Sequence, residues 1–402
     1  MRPESSEGTI ASKVIFVASI AILLLIISAC VYVIYGYMSP PSAEVPSATA
    51  GPSPVPTLSG IVVYTPTPVP TPTATPTPTP TATPTPKPEA TPEPAYQKDF
   101  QITRSQSSFT NPGLWDNYVV YETNGVDSTS IYIYNLLNDR ESKIAEGDVH
   151  CYGCIGEGKV AFIDSKDSSM HIYDIATGST KNLLLELNKP RTAPVISDGR
   201  VLYCQDDGVY NSFYEKWMPK FSIYSSTFGG DMTSLIAPDI SEAVDIQAYG
   251  DYVVWTTIGS QYSEIYMLNV KDGKTTRISP ENSRNDHPRI NSGYIVYHHS
   301  DAKTGNCVNL YNIETGSTTR VTHAGKQYNA DIYGGKIVYD SHLGENWDIY
   351  MYDINTGKDV KLTSEPHDQL KPMIFRNRVA YLDNRNGVWD VFILNLDQAN
   401  TQ

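Results

Sequence analysis

The chain has 402 residues, a formal net charge of −14 and five cysteines. The acidic balance argues against a nucleic-acid partner, because phosphate recognition needs a basic face. Five cysteines at this length exclude a disulfide-dense small scaffold.

Composition is uneven along the chain. Of the 28 prolines, eighteen lie between Pro40 and Pro94; of the 28 tyrosines, 24 follow residue 95. Three segments of different physics are therefore expected rather than one average. Residues 1–13 form a short tail. Residues 14–38 (Val14 to Met38) carry no charged side chain, and as a helix they would span roughly 37 Å against a hydrocarbon core of about 30 Å. Tyr32, Tyr35 and Tyr37 sit where an interfacial aromatic belt belongs. Arg2 and Lys13 precede the run and no Lys or Arg follows until Lys87. The positive-inside rule then puts the N-terminus in the cytoplasm and the rest outside, as a single-pass anchor in the cell membrane. The alternative is lipidation at Cys30, which ends an Ile27-Ser28-Ala29-Cys30 box; the apolar VYVIYGYM that follows favours the uncleaved helix.

Residues 39–96 are Pro, Thr, Ala and Ser in near alternation, as in TPTPVPTPTATPTPTPTATPTPKPEATPEP from Thr65 to Pro94. Such sequence has too little apolar surface to offset the entropy of ordering, and alternating Pro favours extended polyproline II. A disordered spacer is expected, of the composition found in O-glycosylated stalks.

Residues 97–402 repeat themselves. A short β-rich run ends in an aromatic at Tyr121, Phe162, Tyr203, Trp255, Tyr297, Tyr339 and Tyr381, with spacings of 41, 41, 52, 42, 42 and 42. A second run follows each, as in EIYMLNVKDG from Glu264 and DIYMYDINTG from Asp348. Its period of two marks a strand, and its Asp/Asn…Gly ending supplies turn chemistry. A short outer strand such as TTRISP or DVKLTS comes next. Four strands per repeat of about 40–45 residues is a propeller blade. The fold class expected is all-β, a seven-bladed β-propeller with four-stranded blades. The third repeat carries about ten extra residues near Asp206–Lys220.

The last IYxY-type strand, Asp390–Leu396, leaves too few residues for an outer strand, whereas Asp99–Thr103 reads like one displaced to the front. Pairing the two would close the ring and remove an open sheet edge. A sandwich would need neither the fixed period nor this matched pair of ends.

At WDIYMYDINTGKDVKLT (Trp347–Thr363) and NRNGVWDVFILNLD (Asn384–Asp397) the pattern resembles the TolB-type propeller repeat. The resemblance covers about residues 98–402. TolB itself is six-bladed with an additional α/β domain, so its periplasmic role is not carried over. Anchor, stalk and TolB-like propeller together resemble membrane-anchored surface proteins, which implies binding or scaffolding at the cell surface. Sugar-acid lyases also use propellers of this type with a His-ligated metal, which keeps enzymatic chemistry as an alternative.

Propeller ligands gather at one channel mouth, and here six of eight histidines fall in the last three repeats. The candidate ligand-binding set is His287, His298, His299, Asp301, His323, Asn329, Asp340, His342, His367, Lys371, Asp383 and Arg385. His287, Asn329 and Lys371 occupy equivalent inner-strand positions 42 apart, with Asn111 and Asp245 as further members and Asp286 and Asp368 on the same loops. Such convergent polar groups suit a glycan or a divalent metal, but no histidine spacing fixes a metal by itself. No G-x-S-x-G nucleophile elbow occurs. Cys151-Tyr-Gly-Cys154 is a lone CxxC; Cys151 and Cys204 are either a disulfide or buried thiols, and Cys307 has no evident partner.

The function expected is non-catalytic recognition of a protein or cell-envelope polysaccharide by a monomeric ectodomain without cofactor. The alternatives are a metal-dependent, lyase-like polysaccharide-active enzyme and a structural envelope component.

Overall fold

The computed structural model describes residues 99–396, apart from residues 104–106, 124–127, 184–191, 212–215, 219, 231, 241–242, 260, 304 and 322–325. The chain divides into two units, Met1–Thr85 and Pro86–Gln402, and all described residues belong to the second. The expected tail, membrane helix, spacer and Cys30 lie outside them, as does His323. Among the described residues no helix is long and apolar enough to cross a membrane.

The described residues are all-β, and their strands fall in chain order into groups of four. The first is Phe109–Trp115, Tyr118–Thr123, Thr129–Asn135 and Arg140–Gly147, paired in that order. The second has its innermost strand split into Val149–His150 and Ile155–Gly156 around the Cys151–Cys154 turn. Groups beginning at Val195, Ala243, Arg284, Lys326 and Gln369 follow. A single bridge, Ser263 to Arg284, links the fourth and fifth into one eight-stranded sheet. The extra residues of the third repeat form a separate hairpin, Val209–Asn211 with Lys216–Met218.

Among the described residues the last group has three strands of its own: Gln369–Phe375, Arg378–Asp383 and Asp390–Asn395. Its outermost strand is Phe100–Gln101, with Phe100 opposite Ile393 and Gln101 opposite Phe392. The next residues copy the end of an ordinary outer strand. Ile102 N donates to Val391 O at 2.9 Å, as Leu362 N does to Ile349 O at 2.7 Å and Ile278 N to Ile265 O at 3.0 Å. The Thr103 hydroxyl accepts from Val391 N at 2.9 Å, as that of Thr363 does from Ile349 N at 2.8 Å.

The repeated aromatics form the core. The residue paired with each across the next strand is aromatic in six of seven groups. Tyr121–Tyr132, Phe162–His171, Tyr203–Tyr224, Trp255–Tyr266, Tyr339–Tyr350 and Tyr381–Phe392 stack with centroids 5.0–6.0 Å apart. Such pairs add about 0.5–1.5 kcal/mol each beyond area burial. In the fifth group Asn309 replaces the ring, and its amide donates to Tyr297 OH at 3.4 Å. Turns after the third strands follow the Asp-x-x-Thr-Gly logic. Asp174 Oδ1 accepts from Ala176 N and Thr177 N at 2.9 and 3.0 Å, and Gly178 takes φ +69°. That angle favours glycine.

Innermost strands pack against one another in series. Phe109–Trp115 touches Ile155–Gly156, which touches Val195–Ser197; contact then passes to Ala243–Tyr249, Arg284–Asn291, Lys326–Tyr333 and Gln369–Phe375, and from there back to Phe109–Trp115. The approach of the first two is set by glycine: a Cβ on Gly113 would lie 2.0 Å from Gly153 O.

Of the two readings of Cys151 and Cys204, the structure has the buried thiols and not the disulfide. Cys151 packs with Val120, Ile131 and Phe162 between the first two groups, and Cys204 with Val195, Ile223 and Trp255 between the third and fourth. Two separate apolar clusters hold them.

Candidate functional site

Five innermost strands carry the same irregularity. Register shifts fall between Thr110 and Gly113, Val244 and Gln247, Asp286 and Arg289, Tyr328 and Asp331, and Leu370 and Met373. At each bulge one non-glycine residue turns left-handed: Asn111 (φ 48°), Asp245 (53°), His287 (52°), Asn329 (47°) and Lys371 (52°). Tyr152 (φ 50°) does the same in the split strand of the second group. A left-handed non-glycine residue is uncommon, and repeated bulges re-aim side chains. All six line one cavity of about 380 Å³, together with Ala193–Ile196, Arg289 and Asp331.

Buried carboxylates hold these bulges. Glu122 Oε1 accepts from Cys151 N at 2.7 Å and Tyr152 N at 2.5 Å in the neighbouring group, while Oε2 takes the amide of its own group's Asn111 at 3.3 Å. Asp340 Oδ2 does the same job: it accepts from the neighbouring Lys371 N at 2.9 Å and from its own group's Asn329 amide at 2.7 Å. In the fifth group the equivalent position is His298, whose Nδ1 lies 2.8 Å from Asp286 Oδ1, which also meets His287 Nδ1 at 3.0 Å.

Burial raises the Asp340 carboxyl above its ordinary range, against the hydrogen bonds of Lys371 N and Asn329. It also raises Asp331, against the charge of Arg289, whose Nε lies 4.0 Å from its Oδ1. The hydrogen bond to Asp286 raises His287, with the charge of Asp245 adding to it. Burial would raise Asp286, but hydrogen bonds from His287 and His298 carry it well below its ordinary range. Burial lowers the Lys371 ammonium, opposed by the charges of Glu122 and Asp340. Its Nζ lies 3.3 Å from both Thr110 Oγ1 and Asn111 Oδ1.

Of the candidate residues, His287, Asn329 and Lys371 line the cavity. Asp340 and His298 lie behind it as supports. His299 points to the other side of its strand, where it meets Asn285 Oδ1 at 2.8 Å and Asp301 Oδ2 at 3.2 Å. His342 packs edge-on against Trp347, centroids 5.2 Å apart. His367 contributes its carbonyl to Asn346 and Gln369. Asp383 ends the strand Arg378–Asp383, and Arg385 lies in the loop leading to Asp390–Asn395, the strand that pairs with Phe100–Gln101: Arg385 bridges Asp383 at 2.7 Å and Asp99 at 2.6 Å, over the ring of Phe392.

Glu122, Tyr152, Arg289 and Asp331 were not anticipated. The signal for Glu122 was present: it lies eleven residues after Asn111, as Asp340 does after Asn329 and His298 after His287. Among the described residues no three His, Cys, Asp or Glu side chains converge as a metal-holding group.

No protein-family model matches the chain, and no curated protein matches it. Solved structures do. The β-propeller domain of the Trilobed protease from Pyrococcus furiosus, described as having an open velcro topology, aligns with a TM-score of 0.53 and 16% identity over 74% of this chain and 98% of that one. Oligogalacturonate lyase from Vibrio parahaemolyticus aligns at 0.58 and 11%, over 75% and 94%. Acylaminoacyl peptidase from Pyrococcus horikoshii aligns at 0.54 and 16% over 69% of this chain. The chain spans about half the length of that peptidase, 49%. Likeness at these identities is a likeness of fold. The class it defines, with the all-β strand groups above, is the β-propeller.

Proposed function

We propose that this is a membrane-anchored surface protein presenting a seven-bladed, TolB-like propeller, closed by its N-terminal strand, that binds a protein or cell-envelope polysaccharide at the mouth of its channel. The observation that carries the binding assignment is the ring of left-handed residues. Six equivalent positions each accept backbone strain, of order 1–3 kcal/mol, and each places its side chain in one cavity. Strain repeated at equivalent positions around one cavity points to a role there.

The cyclic packing of innermost strands and the pairing of Phe100–Gln101 with Asp390–Asn395 support the closed ring. The uncharged run 14–38 and the Thr/Pro-rich 39–96 support anchor and spacer. Recognition of this kind needs no cofactor, and the acidic balance suits solubility and selectivity at a surface.

The test is binding of the purified chain to isolated cell envelopes. Asn111→Gly with Asn329→Gly, which keeps the left-handed backbone accessible, is expected to weaken binding by about tenfold or more. Lys143→Glu on an exposed outer strand is expected to leave it unchanged. Equal binding by all three proteins would refute the assignment. Divalent metal at one equivalent per purified chain, with turnover of an acidic polysaccharide, would replace it with the enzymatic alternative.

A further inference from the structure

The basic groups of the cavity are each matched by acid. Lys371 lies within electrostatic reach of Glu122 and Asp340. Arg289 faces Asp331 at 4.0 Å. His287 meets Asp286 at 3.0 Å, with Asp245 also in reach. Five carboxylates and three basic groups thus share one small volume, and each basic group has an acidic neighbour. With acid in surplus and every basic group already paired, an anionic ligand would enter with no free counter-charge to meet it, and burying it would cost more than the site returns.

What the cavity does offer is neutral hydrogen-bonding capacity. Asn111 and Asn329 flank Lys371 along the series of innermost strands, and each is held at its amide nitrogen by a buried carboxylate. An amide has two donor hydrogens and an accepting oxygen: Asn329 keeps its second hydrogen and its oxygen, and Asn111 its second hydrogen, the Asn111 oxygen already accepting from Lys371 Nζ at 3.3 Å and Thr110 Oγ1 at 3.4 Å. Also in the lining is Tyr152. It is 50% exposed, and its ring is stacked on His150 with centroids 5.5 Å apart. Burial raises its phenol, so the ring stays neutral. A half-exposed aromatic face together with amides that both donate and accept suits a ring that is apolar on its faces and hydroxylated at its edge.

We propose that the cavity takes a neutral hexopyranose unit, stacked on Tyr152 and hydrogen-bonded at its hydroxyls by Asn111 and Asn329. This rests on the channel-mouth reading above and narrows it to an uncharged saccharide. Lys371 acts here as an internal counter-ion to Glu122 and Asp340, and the sugar does not need it as an ion partner.

The test uses the purified full chain with methyl glucopyranoside, methyl mannopyranoside and glucuronate as probes, read by saturation-transfer NMR and calorimetry. A neutral glycoside is expected to bind, with glucuronate at least about tenfold weaker. Asn329→Gly, which tolerates φ 47°, and Tyr152→Ala are each expected to weaken the neutral sugar by about tenfold while thermal unfolding stays cooperative. Tighter binding of glucuronate overturns the proposal, as does neutral binding that both variants leave intact. Absence of any saccharide binding, in a chain that still binds envelopes in an Asn111- and Asn329-dependent way, overturns the saccharide assignment and leaves the channel-mouth reading standing with a protein ligand. Loss of that dependence as well overturns both.

Discussion

The Tyr381 hydroxyl donates to the Asp99 carboxylate, 282 residues earlier in the chain. The same bond recurs inside ordinary groups, from Tyr121 to Glu141 and from Tyr339 to Asp359, at 2.6 Å each. In those groups the acid sits on the outer strand twenty residues downstream; in the last group it comes from the N-terminal segment. Asp99 thus occupies an outer-strand place that its own position in the chain would never suggest, and the N-terminal end of the described residues is part of the final sheet.

The pairing of Phe100–Gln101 with the last sheet gives the first prediction. Ile102 is 2% exposed and packs with Phe109, Leu382 and Val391. Ile102→Ala should cost about 2–5 kcal/mol, and Asp99→Ala about 1–3 kcal/mol through the orphaned Tyr381 and Arg385. Denaturant unfolding measures both. A cost for Ile102→Ala within ±0.5 kcal/mol of zero, the range of an ordinary surface change, would mean that the segment does not seat in the last sheet.

Glu122 supplies the second. It is 1% exposed and accepts four hydrogen bonds, counting His150 Nδ1 at 3.3 Å. Glu122→Gln turns one acceptor oxygen into a donor facing backbone N–H groups. A loss of about 1.5–3 kcal/mol is expected, with amide exchange at Cys151 and Tyr152 accelerated. Unchanged exchange there would show that another group carries the bulge.

The third concerns pH. Asp286 raises the folded pKa of His287, so this pair stabilises the fold fully below the unfolded histidine value of about 6.5. That contribution is lost as pH rises through the folded value. Burial works against ionised Asp286, yet His287 and His298 depress it; its contribution is present above the unfolded value of about 3.9 and lost as pH falls through the folded one. Stability from the cluster should therefore be greatest between about pH 4 and 6.5. His287→Gln should flatten the decline above that window. A wild-type profile with no decline attributable to His287 would contradict the pairing.

Thiol chemistry provides the fourth. Burial pushes Cys154 up to about 12 and Cys204 up to about 11, and raises Cys151 and Cys307 as well. Protonated, buried thiols are inert. A thiol-specific reagent at neutral pH should label none of the buried Cys151, Cys204 and Cys307 in the native chain and all of them in denaturant, and reductant should not change the unfolding midpoint. Loss of stability on reduction would restore a disulfide.

Much of the strand arrangement was legible because one rule acts at each repeat. An aromatic strand, its paired IYxY strand and an Asx-Gly turn repeat at a spacing long enough to count, and the surplus strand at Asp99–Thr103 matches the missing one after Asp390. The ring positions His287, Asn329 and Lys371 could be read from the same spacing. Their supports were read only in part: Asp340 and His298 stood among the candidates as ligand residues, and Glu122 was missed, because two carboxylates and a histidine share a place only through their common offset of eleven residues. Sequence left Cys151 and Cys204 open between a disulfide and buried thiols, because a CxxC and a strand-end cysteine reveal nothing about which side of a sheet each thiol faces. Arg385 and Asp383 looked like mouth residues, yet their loop serves the seam with the N-terminal strand.

The central claim, that recognition occurs at the ring of left-handed residues, is met most directly by lysine footprinting of the chain bound to isolated envelopes. Lys371 lines the cavity, whereas Lys143 and Lys271 are exposed away from it, with side chains 42% and 72% accessible. The account predicts that binding protects Lys371 from amine modification and leaves Lys143 and Lys271 as reactive as in the free chain. Protection of Lys143 or Lys271 with Lys371 unchanged would contradict it.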